Sequence, residues 1–200
     1  SRQDSVYDGS GLIKSRLFNS YTNAAVNAVY EQTEYVYNPE DGTLKYTQQP
    51  GGLQTHHVRV WRTVGSDVYL EDRTYTVTQS GEVYTLQGPV QVSWTDQQGR
   101  YVRDWTANCT LAGIPDGDET LTEFSRTSYT YDWRNRTLAT RRYHTLPETL
   151  AGEGVAVTNY YEEQVLAYDN QGRTLRRMDA AGNITATVYD GMGRSISQWQ

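Results

Sequence analysis

The 200-residue sequence predicts an all-β protein made of stacked antiparallel β-hairpins, and three observations predict it. Tyr168-Asp169-Asn170-Gln171-Gly172-Arg173 recurs 21 positions later as Tyr189-Asp190-Gly191-Met192-Gly193-Arg194, with Leu175 matched by Ile196 and Met178 by Trp199. Between the two copies lies Asp179-Ala180-Ala181-Gly182-Asn183, so turn signals fall about every ten residues, the interval that short antiparallel strands require. Finally, 17 Tyr, 17 Gly and 5 Trp at a mean hydropathy of −0.75 describe a polar, aromatic, turn-rich chain suited to strands with one wet face.

One unit can be justified residue by residue. The Asp that opens each turn accepts backbone hydrogen bonds through its carboxylate, and the Gly three residues later takes the positive φ of a bulged hairpin loop. The repeat motif therefore comprises Tyr168, Asp169, Gly172, Arg173, Asp179, Gly182, Asn183, Tyr189, Asp190, Gly193 and Arg194, all read as turn architecture. Between turns, Ile184, Ala186 and Val188 fall on one face of a strand and Thr185, Thr187 and Tyr189 on the other. A lone hairpin is marginal in water, so the units must pair edge to edge into a growing sheet, which leaves an unpaired edge at each end of a stack.

From the N-terminus, Tyr7-Asp8-Gly9-Ser10-Gly11-Leu12 reads as a further unit with Leu12 in place of Arg. Residues 24–34 carry a four-residue spacing, Ala25 with Val29 and Val26 with Tyr30, but a strand is the better reading because Tyr30 to Tyr37 alternates into a turn. That turn, Tyr37-Asn38-Pro39-Glu40-Asp41-Gly42, has Asn for Asp and one inserted residue, and Pro50-Gly51-Gly52 follows ten residues later. Gln54 to Val64 alternates strictly, with Val58, Val60 and Val64 on one face and Arg59, Trp61 and Thr63 on the other. Ser66-Asp67, Gln79-Ser80-Gly81 and Gly88-Pro89 read as connections. The motif returns at Thr95-Asp96-Gln97-Gln98-Gly99-Arg100, and at Tyr131-Asp132-Trp133-Arg134-Asn135-Arg136, where Asn, tolerant of positive φ, replaces Gly. Residues 111–121 and 145–155 read as loops inserted between strands. The whole of 1–200 is thus one repeat region, degenerate over 1–160 and clear over 161–200.

The Tyr-Asp-x-x-Gly-Arg pattern, repeated at 21 residues with an intervening Asp-x-x-Gly-Asn, resembles the YD repeats of the Rhs family. That family includes bacterial Rhs and insecticidal toxin-complex shells, wall-associated proteins and animal teneurins. The resemblance covers the last 33 residues most clearly, and it implies that such hairpins form a curved or spiralling sheet, part of a hollow shell. It also implies a toxin-delivery context in some members, whose shells carry Asp-Pro motifs at a self-cleavage segment; no Asp-Pro pair occurs in this sequence.

Composition and chemistry narrow the function classes. A formal charge of −6, with Lys14 and Lys45 the only lysines, gives no basic field for nucleic acid. No run of 18 apolar residues is present to span a membrane, and no positively charged start precedes an apolar stretch. Cys109 is the only cysteine, so neither an intrachain disulfide nor a cysteine zinc cage can form, and a single buried thiol is the expectation. His56 and His57 are neighbours, which on a strand point to opposite faces and cannot readily share a metal, and His144 reads as a surface residue. Asp116-Gly117-Asp118-Glu119 lacks the spacing of a calcium loop and is expected to be a solvated acidic loop. The pairs Asp118-Glu119 and Glu162-Glu163 could supply glycosidase carboxylates only at a spatial separation that sequence does not give. The sequons at Asn108, Asn135 and Asn183 matter only in a glycosylating secretory pathway.

The sequence therefore assigns no catalytic, cofactor-binding or metal-ligating residue. Its first functional expectation is a non-enzymatic structural segment of a large secreted or cell-surface repeat protein, cut from a longer chain. Its partners would be neighbouring repeats of the same chain. The alternative is an extracellular binding or assembly module, in which aromatic faces and sheet edges take glycans or other protein chains. A glycan-cleaving enzyme is a third, weaker reading.

Overall fold

The computed structural model describes residues 2–9, 11–18, 30–144 and 160–200. Its strands are β1 (Arg2–Asp8), β2 (Gly11–Phe18), β3 (Tyr30–Tyr37), β4 (Leu44–Gln48), β5 (Leu53–Val64), β6 (Asp67–Ser80), β7 (Val83–Leu86) and β8 (Val90–Asp96). They continue with β9 (Tyr101–Asn108), β10 (Thr122–Tyr131), β11 (Thr137–Tyr143), β12 (Tyr160–Tyr168), β13 (Thr174–Met178), β14 (Ile184–Tyr189) and β15 (Ser195–Trp199). The protein is all-β, with no helix among the described residues. The strands form one antiparallel sheet that is not closed, in the order β1-β2-β3-β4-β5-β6-β8-β9-β10-β11-β12-β13-β14-β15, with β7 paired to β6 off this path. Sequence neighbours are sheet neighbours almost throughout, as hairpin connections dictate.

The turns impose a common irregularity on the strands. The register shifts at Val6/Tyr7, Val36/Tyr37, Thr130/Tyr131, Ala167/Tyr168 and Val188/Tyr189, in each case at the Tyr that precedes the turn, and β12 has a further shift at Val165/Ala167. This is the extra residue of a bulged hairpin, which Gly or Asn in positive φ makes possible.

Two compact units divide the chain, one of Ser1–Arg62, Glu71–Val92 and Ala107–Thr122, the other of Thr63–Leu70, Ser93–Thr106 and Glu123–Gln200. In the first, the alternation of β5 holds: Gln54 and His56 are buried and Val58 and Val60 half-buried, whereas Arg59 and Trp61 face solvent. Tyr75 and Val77 of β6, Val90 and Val92 of β8 and Ala107 of β9 supply its apolar core. In the second unit, Trp94 stacks on Tyr69 with centroids 4.9 Å apart and meets Trp105 edge-on at 5.2 Å. The Arg103 guanidinium lies over the Trp94 ring, 4.7 Å from its centroid. Truncating either tryptophan to alanine would cost about 3–5 kcal/mol.

Several local expectations need correction or completion. The first hairpin is tighter than the repeat motif: Asp8 pairs with Gly11 and Tyr7 with Leu12, whereas Tyr168 pairs with Thr174. The Tyr37 turn is one residue longer, with Tyr37 opposite Leu44, and Asp41 rather than Asn38 caps it by accepting from the Thr43 N–H at 2.9 Å. Tyr30 to Glu34 lie in β3, while residues 24–29 of the segment with competing helix and strand readings, and all of 145–155, lie outside the described residues. Cys109 is half-buried rather than buried.

Candidate functional site

Five turns share one geometry. In the turn at Asp169, the Gly172 N–H donates to the Asp169 carbonyl at 3.1 Å and the Asp169 N–H to the Arg173 carbonyl at 2.9 Å. Oδ1 of Asp169 accepts from the N–H groups of Gln171 and Arg173, both at 2.9 Å, while Oδ2 accepts from Arg173 Nε at 2.5 Å. Asp96 with Arg100, Asp132 with Arg136 and Asp190 with Arg194 repeat these contacts. At Asp179 the Asn183 amide takes the place of the guanidinium, 3.0 Å from Oδ2. The residue before the last is in positive φ each time: Gly99 at +78°, Asn135 at +61°, Gly172 at +84°, Gly182 at +88° and Gly193 at +84°.

The carboxylates are held ionised by these donors. Desolvation raises Asp96, Asp132 and Asp169, but the backbone N–H groups and guanidinium of Arg100, Arg136 and Arg173 outweigh it and set all three below their ordinary range. The Asn183 amide and N–H lower Asp179, and the N–H and guanidinium of Arg194 lower Asp190. A group already neutralised and saturated with donors is a poor proton carrier.

Arg and Tyr of the motif act between hairpins. The Arg100 guanidinium lies 5.4 Å from the Tyr131 ring centroid, that of Arg136 4.3 Å from Tyr168, and that of Arg173 4.7 Å from Tyr189. Each of these rings turns its hydroxyl onto the carbonyl that follows the same arginine: Tyr131 onto Tyr101 at 2.5 Å, Tyr168 onto Thr137 at 2.5 Å and Tyr189 onto Thr174 at 3.1 Å. Burial raises the Tyr131 and Tyr168 phenols, so both keep the proton they donate. The arginine thus closes its own turn with one face and seats the next hairpin's tyrosine with the other. Sequence reasoning reached the Asp and Gly roles but not this staple, whose partners are 16 to 32 residues apart.

A second constellation escaped the sequence altogether. On β6 the buried Glu71, Arg73 and Tyr75 share one face. Arg73 donates from Nε to Glu71 at 2.8 Å and from Nη1 to the Glu119 carbonyl at 3.1 Å, and Tyr75 donates to Glu119 Oε2 at 2.6 Å. Arg62 joins Glu71 at 3.0 Å to the Gly117 carbonyl at 2.5 Å. Glu119 reaches back to accept from the N–H groups of Asp116 and Gly117. The segment expected to be a solvated acidic loop is therefore a latch: the Glu119 side chain is only 8% exposed, held by Arg73 and Tyr75, while Asp116 and Asp118 are exposed. Gly117, at φ +93°, lies so close to β5 that a Cβ there would sit 3.0 Å from Val58 and Val60 methyls. Two carboxylates and two guanidiniums balance, which is the condition for keeping charge in a core.

The remaining candidates are accounted for by local contacts. His56 is 1% exposed, stacked on Tyr46 at 4.8 Å. The Gln54 amide nitrogen donates to Gln48 and Gln79, so its oxygen faces His56 Nε2 at 2.8 Å and the neutral ring carries its proton there. Burial, with Lys45 and His57 nearby, pushes His56 down to about 4. His57 lies on the opposite face of the strand, half-buried beside a cleft of about 570 Å³ also bordered by Lys45, Arg59, Asp72 and Asp116. Arg59 is already paired with Asp72 at 2.6 Å. His144 is exposed against Tyr161. Burial and the Glu119 charge raise the Cys109 thiol, which disfavours the thiolate. Glu162 accepts from Arg141 on the neighbouring strand and from Gln164 on its own, and Glu163 accepts from Arg142 and Arg177 across the strands on the opposite face. Among the described residues no three His, Cys, Asp or Glu side chains gather to hold a metal ion, and no helix is long and apolar enough to cross a membrane.

Compared with known proteins, the chain matches no family model and no curated protein.

Proposed function

We propose that the chain is a non-enzymatic structural segment of a large secreted or cell-surface YD-repeat protein of the Rhs kind, building part of a β-sheet shell. One observation carries this reading: the motif's polar groups are consumed in the architecture. Its Asp oxygens cap the turn, its Arg neutralises that Asp, and its Tyr bonds the preceding hairpin. A catalytic group is needed once, whereas the whole arrangement recurs at the turns of Asp96, Asp132 and Asp169. The test is turnover on a panel of polysaccharide, ester and peptide substrates. The expected result is none, and a hydrolytic activity that disappears in a folded Asp179→Ala variant would overturn the reading.

A second reading, recognition of glycans or protein chains, is supported by the exposed rings of Trp61, Trp133 and Tyr161 at 65%, 83% and 62%. Rings presented to solvent suit sugar stacking. A glycan array would separate the two readings, since binding lost on Trp133→Ala favours recognition and the absence of any binding favours the structural role.

A further inference from the structure

We propose that the cleft bordered by Lys45 and His57 binds an acidic oligosaccharide, a uronate whose carboxylate pairs with Lys45 while a further ring of the same sugar chain lies on Trp61. The inference rests on the second reading above, recognition of glycans, and names the ligand class and the place where it sits. Every residue of the site belongs to the first compact unit. The volume of about 570 Å³ is that of a site for an organic molecule and far exceeds what a single ion fills.

The charges of the cleft select the ligand. Lys14 and Lys45 are the only lysines of the chain. Lys14 is held by Glu34 at 3.0 Å, whereas Lys45, half-buried on β4, has no hydrogen bond or ion pair among the described residues. Arg59 is already neutralised by Asp72 at 2.6 Å, so Lys45 is the cation on which an incoming carboxylate settles. Asp41 and Asp116 border the same cleft and repel a compact polyanion, which favours one carboxylate per ring over a phosphate ester.

The same acids suit the rest of a sugar. Each spends Oδ1 on a backbone N–H of its own turn, Asp41 on that of Thr43 at 2.9 Å and Asp116 on that of Asp118 at 3.0 Å, which leaves acceptor capacity for ligand hydroxyls. Carrying the pairing of Tyr46 with His56 one step along the strands sets His57 opposite Lys45. Burial and the Arg59 charge lower His57 more than Asp72 raises it, so its neutral ring offers one donor and one acceptor. Leu44, Ile114 and Pro115 supply an apolar wall for the C–H face of a pyranose. Outside the cleft, Trp61 is 65% exposed and shares a face of β5 with His57 and Arg59 by alternation. It stands four residues from His57, about 13 Å along the strand, so a ligand needs more than one ring to reach both.

Calorimetric titration of the 200-residue chain with trigalacturonate, its methyl-esterified form and monomeric galacturonate tests this. The acid trimer should bind, and the ester roughly tenfold more weakly, through loss of one charge-assisted pair. Lys45→Gln should weaken the acid by the same factor and leave the ester unchanged, whereas Lys45→Arg should retain the preference for the acid. The comparison of acid with ester needs no variant, so a misfolded Lys45→Gln does not decide the outcome. Trp61→Ala should weaken the trimer roughly threefold and leave the monomer unchanged. No binding of the trimer up to about 10 mM, equal affinity for acid and ester, or tighter binding of a glutamate-rich peptide than of the trimer would each overturn the proposal. Neutral glycans bound through Trp133 would keep the recognition reading and remove this site alone, whereas the absence of any glycan binding would remove both.

Discussion

Replacing Gly182 by alanine isolates the backbone chemistry of the turns. Gly182 has φ +88° and no atom within 4 Å of a built Cβ, so an alanine there meets strain without crowding. Holding an L-residue in the left-handed region costs about 1–2 kcal/mol. Gly191 is the internal control: it occupies a turn of the same kind, lies outside the left-handed region and is equally open. Alanine at Gly191 should be neutral or stabilise by about 0.4–1 kcal/mol through the unfolded chain. The two variants should therefore differ by about 1–3 kcal/mol. For a chain of this size Gly182→Ala should lower Tm by about 2–8 °C, read by far-ultraviolet circular dichroism and checked by urea midpoints. Gly193→Ala should lose more, because at φ +84° its Cβ would also press within 3.1 Å of Arg173 Nη1. If Gly191→Ala is as destabilising as Gly182→Ala, positive φ is not what the motif glycine supplies.

Other outcomes follow from the buried and capped groups. The folded His56 pKa of about 4 lies below the ordinary 6.5, so the unfolded chain takes up the proton first. Stability should be complete above pH 6.5, fall by up to about 3 kcal/mol toward pH 4, and show less of this fall in His56→Gln. A His56 imidazole titrating near its ordinary value by NMR would contradict its burial. The turn carboxylates are also lowered, so their contribution persists above the ordinary carboxylate range and is lost at still lower pH. Glu119→Ala should destabilise by about 3 kcal/mol by stripping a partner from buried Arg73. It should also speed labelling of Cys109 by a thiol reagent, since the Glu119 charge raises that thiol; an unchanged labelling rate would mean that the latch does not cover it.

The parts of the fold visible in the sequence were those encoded locally. Asp and Gly or Asn at fixed spacing specify a backbone path within five residues, so the turns at Asp96, Asp132, Asp169, Asp179 and Asp190 could be read without any knowledge of their neighbours. The length of a turn could not: Tyr7-Asp8-Gly9 resembles the motif, but Gly11 closes the hairpin early. Nor could the β6 face, because Glu71 and Arg73 at alternate positions look like a solvated face, and only the distant Glu119 and Arg62 make their burial tolerable. The Arg–Tyr staple was illegible for the same reason. Both residues belong to the motif, yet the function of each is set by a partner in another hairpin.

The central claim is that the motif joins successive hairpins, and a double-mutant cycle on Arg136 and Tyr168 tests it most directly. These side chains lie 4.3 Å apart, guanidinium to ring centroid, in a half-buried site. Urea denaturation of the parent, Arg136→Ala, Tyr168→Ala and the double variant should give a coupling energy of about 1 kcal/mol, with the double variant losing less than the sum of the singles. Additivity within about 0.3 kcal/mol would mean that the hairpins are held by their ladders alone and that the recurring arginine and tyrosine are not what links them.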